Sequence, residues 1–329
     1  MLPSFMCVFS RLSRRQFIQA ATTASLGAGL FAQTEALLAA PQTSWPVGCR
    51  DLHLKTAGKP DSWSCMRALG ADGIEVDVAL DLSCPYLVHP EHRYSLATAD
   101  GIRALAGDLA TNNCRITAFM MSNRFDERLE EELECARRLA KAAQQLGVKA
   151  VRIDVVPRKL KKQEFLAFAI KACKQLCQTA EGTDVRFGIE NHGNTTNDPA
   201  FLDQLFAGVG SSRLGLTLDC ANFYWWGHPL DDLYAIYEKF AARIVHTHCK
   251  SIAYPAEKKS VRRQMGWEYE KYNCPVYQGD IDFKRLVAIL RKANYQGDLC
   301  VEDESLGKFP ETERGEILKK EIAFLRQLA

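Results

Sequence analysis

Closely spaced cysteine pairs are missing from this chain. It has 12 cysteines in 329 residues, yet none form a CxxC pair, which removes a zinc knuckle. A surplus of one charge is missing too: 42 Lys and Arg stand against 40 Asp and Glu, so the whole molecule offers no field to gather nucleic acid or anionic lipid. No Gly-rich phosphate loop follows the first expected strand, and no composition break divides the chain, which argues against an open doubly wound sheet. Histidine is scarce, seven in all. What is present, 47% hydrophobic and 25% charged residues, excludes disorder and a fibrous fold.

The amino end differs from the rest. Acidic residues are absent before Glu35, and Ser13-Arg14-Arg15-Gln16-Phe17-Ile18 leads into a small-residue and apolar run from Ala20 to Ala32. Paired arginines before an uncharged stretch have the form of a twin-arginine export signal, with cleavage after Ala36 or near Ala40. The run falls short of the roughly 20 apolar residues of a spanning helix, so no stable membrane anchor is expected. Residues 1–40 are thus read as a leader recognised by the twin-arginine machinery, and a periplasmic or otherwise exported location follows. Cargo of that route folds before export, so the remaining cysteines need not pair. Cys173 and Cys177 have the i,i+4 spacing of two buried residues on one helix face.

Over residues 41–329 short apolar runs alternate with segments of helical period. Strands are expected at Val47–Leu54, Gly73–Leu80, Arg115–Met121, Lys149–Val155, Val185–Glu190, Leu214–Asp219, Arg243–His248 and Asp298–Glu302. Helices are expected at Ser62–Leu69, Arg128–Leu146 with Gly147 as its stop, Lys162–Thr179, Pro199–Ala207, Leu230–Phe240, Phe283–Ala293 and Glu313–Leu328. About eight βα units predict a single-domain α/β fold, the (β/α)8 TIM barrel. Residues 251–280 lack obvious regular structure and carry Lys258, Arg262, Arg263, Trp267, Tyr269 and Tyr272. They read either as a lid over the barrel mouth or as an insertion packed against a second copy in a homo-oligomer.

In such a barrel the site lies at the carboxyl ends of the strands. Four consecutive strand ends carry Glu190, Asp219, His248 and Glu302, each just after an apolar stretch. Converging carboxylates repel one another unless a cation neutralises them. Three carboxylates and one imidazole suit one divalent metal ion, Mn²⁺ or Mg²⁺ before Co²⁺ or Zn²⁺, because hard oxygen ligands dominate. His246 shares a strand face with His248 and is expected to line the pocket. His192 reads as a residue that orients a ligand or touches substrate, or else as a solvent-facing loop residue; His89 and His92 read as plain loop residues. Phe223, Tyr224, Trp225 and Trp226, directly after Asp219, offer stacking surfaces for pyranose rings or else pack against a helix.

From about residue 45 onward the chain resembles the xylose isomerase-like TIM barrel superfamily, in particular the sugar phosphate isomerase/epimerase family with its ketose 3-epimerases and hydroxypyruvate isomerase. The most specific stretch is Gly279-Asp280-Ile281-Asp282-Phe283 through Tyr295-Gln296-Gly297 to Cys300-Val301-Glu302, and the Glu, Asp, His, Glu strand ends follow the family's metal-binding order. The resemblance implies a metal on Glu190, Asp219, His248 and Glu302, bound in turn by oxygens of a sugar. It also implies Glu190 and Glu302 as acid and base on opposite faces of the substrate carbon, working through an enediolate. Two departures bear on substrate. Asn222 stands where many family members have a histidine, and their arginine after the metal-binding histidine is absent, with Lys250 or a basic residue of the 251–280 segment a candidate to replace it.

A metal-dependent sugar isomerase or epimerase is therefore the leading expectation, with a small-molecule carbohydrate as partner. A lyase or hydrolase acting on 3-keto-glycosides uses the same proton abstraction. An abasic-site endonuclease needs more ligands than four, and few histidines, balanced charge and an export signal all speak against nucleic acid, though the Lys258–Arg263 cluster resembles a phosphate grip. A silent sugar-binding barrel is the third class.

Overall fold

The computed structural model describes residues 44–329, so the expected export leader lies outside the described residues. Trp45–Ala329 form one compact unit. Eight strands close a parallel barrel: β1 (Val47–Arg50), β2 (Gly73–Asp77), β3 (Ile116–Met121), β4 (Ala150–Ile153), β5 (Arg186–Glu190), β6 (Leu214–Asp219), β7 (Ile244–Cys249) and β10 (Leu299–Val301). Each pairs with its sequence neighbour in the barrel, and β1 closes the ring on β10 with Cys49 opposite Val301. The barrel expected from the pattern of apolar runs is therefore present.

Periodicity explains the outer layer. On helix Phe125–Leu146 the buried positions include Cys135, Ala136, Leu139, Ala140 and Ala143, a stripe of i, i+3 and i+4 spacing turned toward the strands. Arg128 leaves helical geometry, so the regular helix starts where the sequence placed it, and Gly147 at φ 71° ends it. Asp198 and Asp282 cap their helices by accepting from backbone N–H groups, the former before Pro199 in the first turn. Cys173 and Cys177 are buried on one helix, and all eleven cysteines among the described residues are unpaired. Among the described residues no helix is long and apolar enough to cross a membrane.

Three expectations need correction. The first strand ends at Arg50 rather than Leu54, because Asp51 turns inward to accept the Asp77 N–H (3.0 Å) and the chain winds into a 3-10 helix over Asp51–Ala57. The second strand likewise stops at Asp77 instead of Leu80. A helix at Ala99–Asn112 was not anticipated; its apolar stripe is thin, only Ile102, Leu105 and Leu109 being buried, and Gly101 and Gly107 interrupt it.

The 251–280 segment is ordered by a short antiparallel pair, β8 (Ser251–Ile252) with β9 (Asn273–Cys274), and by two single-turn helices. Arg263 anchors it. This buried guanidinium stacks between the rings of Tyr224 and Tyr254 and donates to the carbonyls of Tyr224 and His228 at 2.8 Å. Lys259 pairs with Asp280 at 2.6 Å. The basic cluster is thus partly spent on fastening the insertion, and is not a free phosphate grip.

Asp51 generates a prediction. Burial, then the nearby Asp77 and Glu75 carboxylates, push its carboxyl up to about 8, against the Asp77 N–H and Arg50. The folded chain therefore keeps a proton that the unfolded chain releases near pH 4, roughly the free carboxyl value. Stability from this group is lost as pH rises between those two values. Asp51→Asn keeps the acceptor oxygen and needs no proton, so its Tm relative to the parent should climb between about pH 5 and pH 8 in thermal melts; a difference that stays constant with pH would contradict the assignment.

Candidate metal centre

Strand ends deliver the site. Glu190 closes β5, Asp219 closes β6, His248 is the penultimate residue of β7 and Glu302 follows β10 directly. Register sets Asp219 opposite His248 and Cys300 opposite His248. All four side chains are buried, and one donor atom from each lies within 4.8 Å of the others.

Each carboxylate is already gripped on one side. Arg152 Nε donates to Glu190 Oε2 (2.5 Å) and Asn222 Nδ2 donates to Glu190 Oε1 (3.1 Å). Arg50 donates to Glu302 Oε1 (2.5 Å), and Lys250 Nζ stands 3.3 Å from Glu302 Oε2 and 2.9 Å from Asp219 Oδ2. Asp219 Oδ1 accepts the N–H groups of Ala221 and Asn222, both at 2.8 Å. Burial disfavours ionisation of Glu190 and Glu302, but Arg152 for the first, and His248, Lys250 and Arg50 for the second, outweigh it and hold both well below the usual carboxylate range. Asp219 goes the other way: burial, with Glu302 and Glu190 adding to it, raises it to about 7 against Lys250.

At the centre Asp219 Oδ2 meets only the Lys250 ammonium, and the buried His248 Nδ1 makes no hydrogen bond. The His248 ring is set by its far side. Its Nε2 meets both Glu75 oxygens at 3.0 Å, leaving Nδ1 aimed between Glu302 Oε2 (3.2 Å) and Glu190 Oε1 (3.7 Å). A carboxylate that fixes the outer N–H of an imidazole and bares the inner nitrogen is the usual support for a metal-bound histidine. Donors of the right chemistry, three carboxylates and one imidazole, fit a divalent ion.

Glu75 also receives His246 Nε2 (3.1 Å), whose Nδ1 meets Asp298 Oδ1 at 2.6 Å. His246 is thus a correction to the sequence reading. It does face the barrel interior with His248, but two residues deeper, beneath the cavity and not on its wall. An open cavity of about 550 Å³ lies above, walled by Glu190, Glu302, His192, Asn222, Trp225 and Lys250 among others. Six expected residues therefore line it, while Asp219 and His248 are fully buried and not among its lining residues. His192 is tied to Asp154 (3.0 Å), a bond that raises its pKa. Phe223 and Tyr224 are core residues, so the aromatic run after Asp219 gives the cavity only Trp225. The insertion supplies Tyr269 and Glu270 to the wall.

Sequence reasoning missed Arg50, Glu75 and Arg152. The signal existed for two of them: a charge flanked by apolar residues inside a strand, Ile74-Glu75-Val76 and Val151-Arg152-Ile153, needs a partner of opposite charge inside the barrel.

With this geometry in view, comparison with known proteins adds the lineage. The xylose isomerase-like TIM barrel family matches residues 65–328. The chain belongs to that family. Among curated proteins none matches it. Solved structures similar to it include a xylose isomerase-like TIM barrel protein from Mycobacterium smegmatis in complex with magnesium, at 16% identity and TM-score 0.62, covering 87% of this chain and 98% of that one. D-Allulose 3-epimerase from Methylomonas sp. in complex with D-allulose is similar at 15% identity and TM-score 0.59, covering 87% and 98%. The apo form of 3-keto-D-glucoside 4-epimerase from E. coli is similar at 16% identity and TM-score 0.58, covering 86% and 99%. At these identities the likeness is one of fold.

Removing the support under His248 gives the test of this xylose isomerase-like centre. Glu75→Gln should weaken Mn²⁺ or Zn²⁺ binding by about 10–100-fold in equilibrium dialysis, with the far-UV circular dichroism unchanged. Unaltered affinity would mean that Glu75 does not orient a ligand.

Proposed function

We propose that this protein is a divalent-metal-dependent sugar isomerase or epimerase that moves a proton next to a carbonyl through an enediolate. The observation that carries the reading is the meeting of Glu190, Asp219, His248 and Glu302, with His248 Nδ1 free of any hydrogen bond, beside a cavity whose wall includes both glutamates. The sugar epimerases among the similar structures support it as relatives in fold.

A cation on these four residues supplies positive charge to the carbonyl and hydroxyl oxygens of a sugar, and the three carboxylates suit Mn²⁺ or Mg²⁺. The chain's own groups do the rest. Glu190 and Glu302, kept ionised by Arg152 and by Arg50 with Lys250, are in the form that accepts a proton from carbon. As one ionised glutamate takes that proton, the C–H electron pair moves toward the carbonyl oxygen; the other glutamate, having first taken a proton from solvent, delivers it to the opposite face of the same carbon to give the epimer, whereas return of the first glutamate's proton to the adjacent carbon, with the hydroxyl proton passing between the two oxygens, gives the isomer. Asn222, Lys250 and His192 offer N–H groups to substrate oxygens from the wall, and Trp225 offers a ring face. Asn222 stands where the resemblance implies a histidine and Lys250 is a candidate for the missing arginine, so the hydroxyl pattern they accept is this chain's own.

Glu190→Gln and Glu302→Gln should each cut kcat by about 10²–10⁴-fold with less change in KM, and each should suppress deuterium uptake from D₂O into a keto-sugar. Chelation with EDTA should abolish uptake, and Mn²⁺ or Mg²⁺ should restore it. Full exchange in either variant would remove the glutamates from the mechanism.

We further propose that the chain is exported through the twin-arginine route. A reporter fused to residues 1–45 should reach the periplasm, and replacing Arg14 and Arg15 with lysine should hold it in the cytoplasm; export that ignores both arginines would refute the route.

A further inference from the structure

Lys250 is the first residue after β7 and, unlike most lysines, is buried. Its Nζ meets three carboxylates at once: Asp219 Oδ2 at 2.9 Å, Glu304 Oε1 at 3.1 Å and Glu302 Oε2 at 3.3 Å. Two of these belong to the metal centre. The third does not: Glu304 is an exposed residue of the cavity wall that accepts from Tyr269 of the insertion.

The three cations beside the centre differ in where they grip. Arg152 holds Glu190 by Oε2 and is tied down by the Met121 carbonyl (3.1 Å), and Arg50 holds Glu302 by Oε1 while also facing Glu75 and Asp77. Both take the oxygen turned away from His248, whose Nδ1 faces Glu190 Oε1 and Glu302 Oε2. Lys250 instead takes inward oxygens. Asp219 has no other oxygen to give, because its Oδ1 already accepts the N–H groups of Ala221 and Asn222 at 2.8 Å. A divalent ion and this ammonium therefore need the same atom, Asp219 Oδ2, and like charges on one oxygen repel.

We propose that Lys250 is the chain's own stand-in for the metal. Its ammonium neutralises Asp219 and Glu302 as the barrel closes, gives up Asp219 Oδ2 when a divalent ion binds, and stays with Glu304 on the cavity wall. The flexible four-carbon stem of a lysine can carry its charge between two anchors, whereas the rigid forks of Arg50 and Arg152 are held in place. Lys250 is thus an internal competitor that sets metal affinity, and Glu304 is the seat that lets it move. This rests on the metal centre of the reading above and adds how that centre is filled.

Equilibrium dialysis of the full chain, stripped with EDTA and titrated with Mn²⁺, tests it. Lys250→Met keeps the stem and removes the charge, and should bind Mn²⁺ about tenfold or more tightly than the parent; a lysine that only supports the fold or the ligands gives equal or weaker binding when lost. Saturating Mn²⁺ should accordingly raise the Tm of Lys250→Met by more than it raises the parent's. Glu304→Gln, at an exposed position that does not threaten folding, reads the exchange from the other anchor. It should weaken Mn²⁺ binding by about threefold or more, and lose that effect in the Lys250→Met background. Mn²⁺ binding that Lys250→Met leaves unchanged or weakens would overturn the proposal while leaving the metal centre standing, and so would unchanged or tighter binding by Glu304→Gln or an effect of equal size in both backgrounds. No Mn²⁺ binding by the parent or either variant would remove the centre and the proposal together.

Discussion

Repulsion among Glu190, Asp219 and Glu302 is the constraint that the rest of this barrel answers. Glu190 and Asp219 end β5 and β6, Glu302 follows β10, and the three carboxylates meet buried beside the cavity. Unit charges about 4 Å apart interact by on the order of 4 kcal/mol at an effective dielectric near 20. Three such pairs would rival the whole stability of a domain, about 5–15 kcal/mol. Arg152, Arg50 and Lys250 each take one carboxylate from the side, and Glu75 locks the one imidazole in the cluster from below. Arg152 and Arg50 act on outer oxygens and Glu75 on the outer ring nitrogen, whereas Lys250 stands against the inward Asp219 Oδ2 at 2.9 Å. The inward His248 Nδ1 is left without a hydrogen bond, and a cation fits there beside Asp219 Oδ2, which in this structure meets the Lys250 ammonium.

The same arrangement explains which parts of the site could be seen before folding. Glu190, Asp219, His248 and Glu302 were visible because each follows an apolar run, the one place in a strand where a charged group escapes the layer between sheet and helices. Glu75 and Arg152 sit inside their runs, so each looked like an interruption. Only closing the ring places Glu75 across the barrel from β7, where it spans both imidazoles. His246 was put on the correct face but at the wrong depth: alternation gives side, whereas two residues of strand, about 6.6 Å, separate the metal centre from its buried support. Helix Ala99–Asn112 was missed for a different reason, since glycines and a three-residue apolar stripe carry little periodic signal.

The 251–280 insertion joins fold to function. Its length suggested a lid or a contact with a second copy, and no local pattern chose between them. Arg263, stacked between Tyr224 and Tyr254, pins it to the segment that follows Asp219, and so Tyr269 and Glu270 reach the cavity wall. Tyr269 also donates to Glu304, which in turn faces Lys250 at 3.1 Å, so the insertion is wired to the charge network of the site. Substrate choice is expected to follow from this wall, the part least constrained by barrel closure.

Anomalous diffraction from crystals soaked in Mn²⁺ tests the central claim most directly. One peak should stand about 2.1 Å from an atom of each of Glu190, Asp219, His248 and Glu302. A peak held by Glu75 and the two imidazoles instead, or none at all while Lys250 keeps its place beside Asp219, would contradict it.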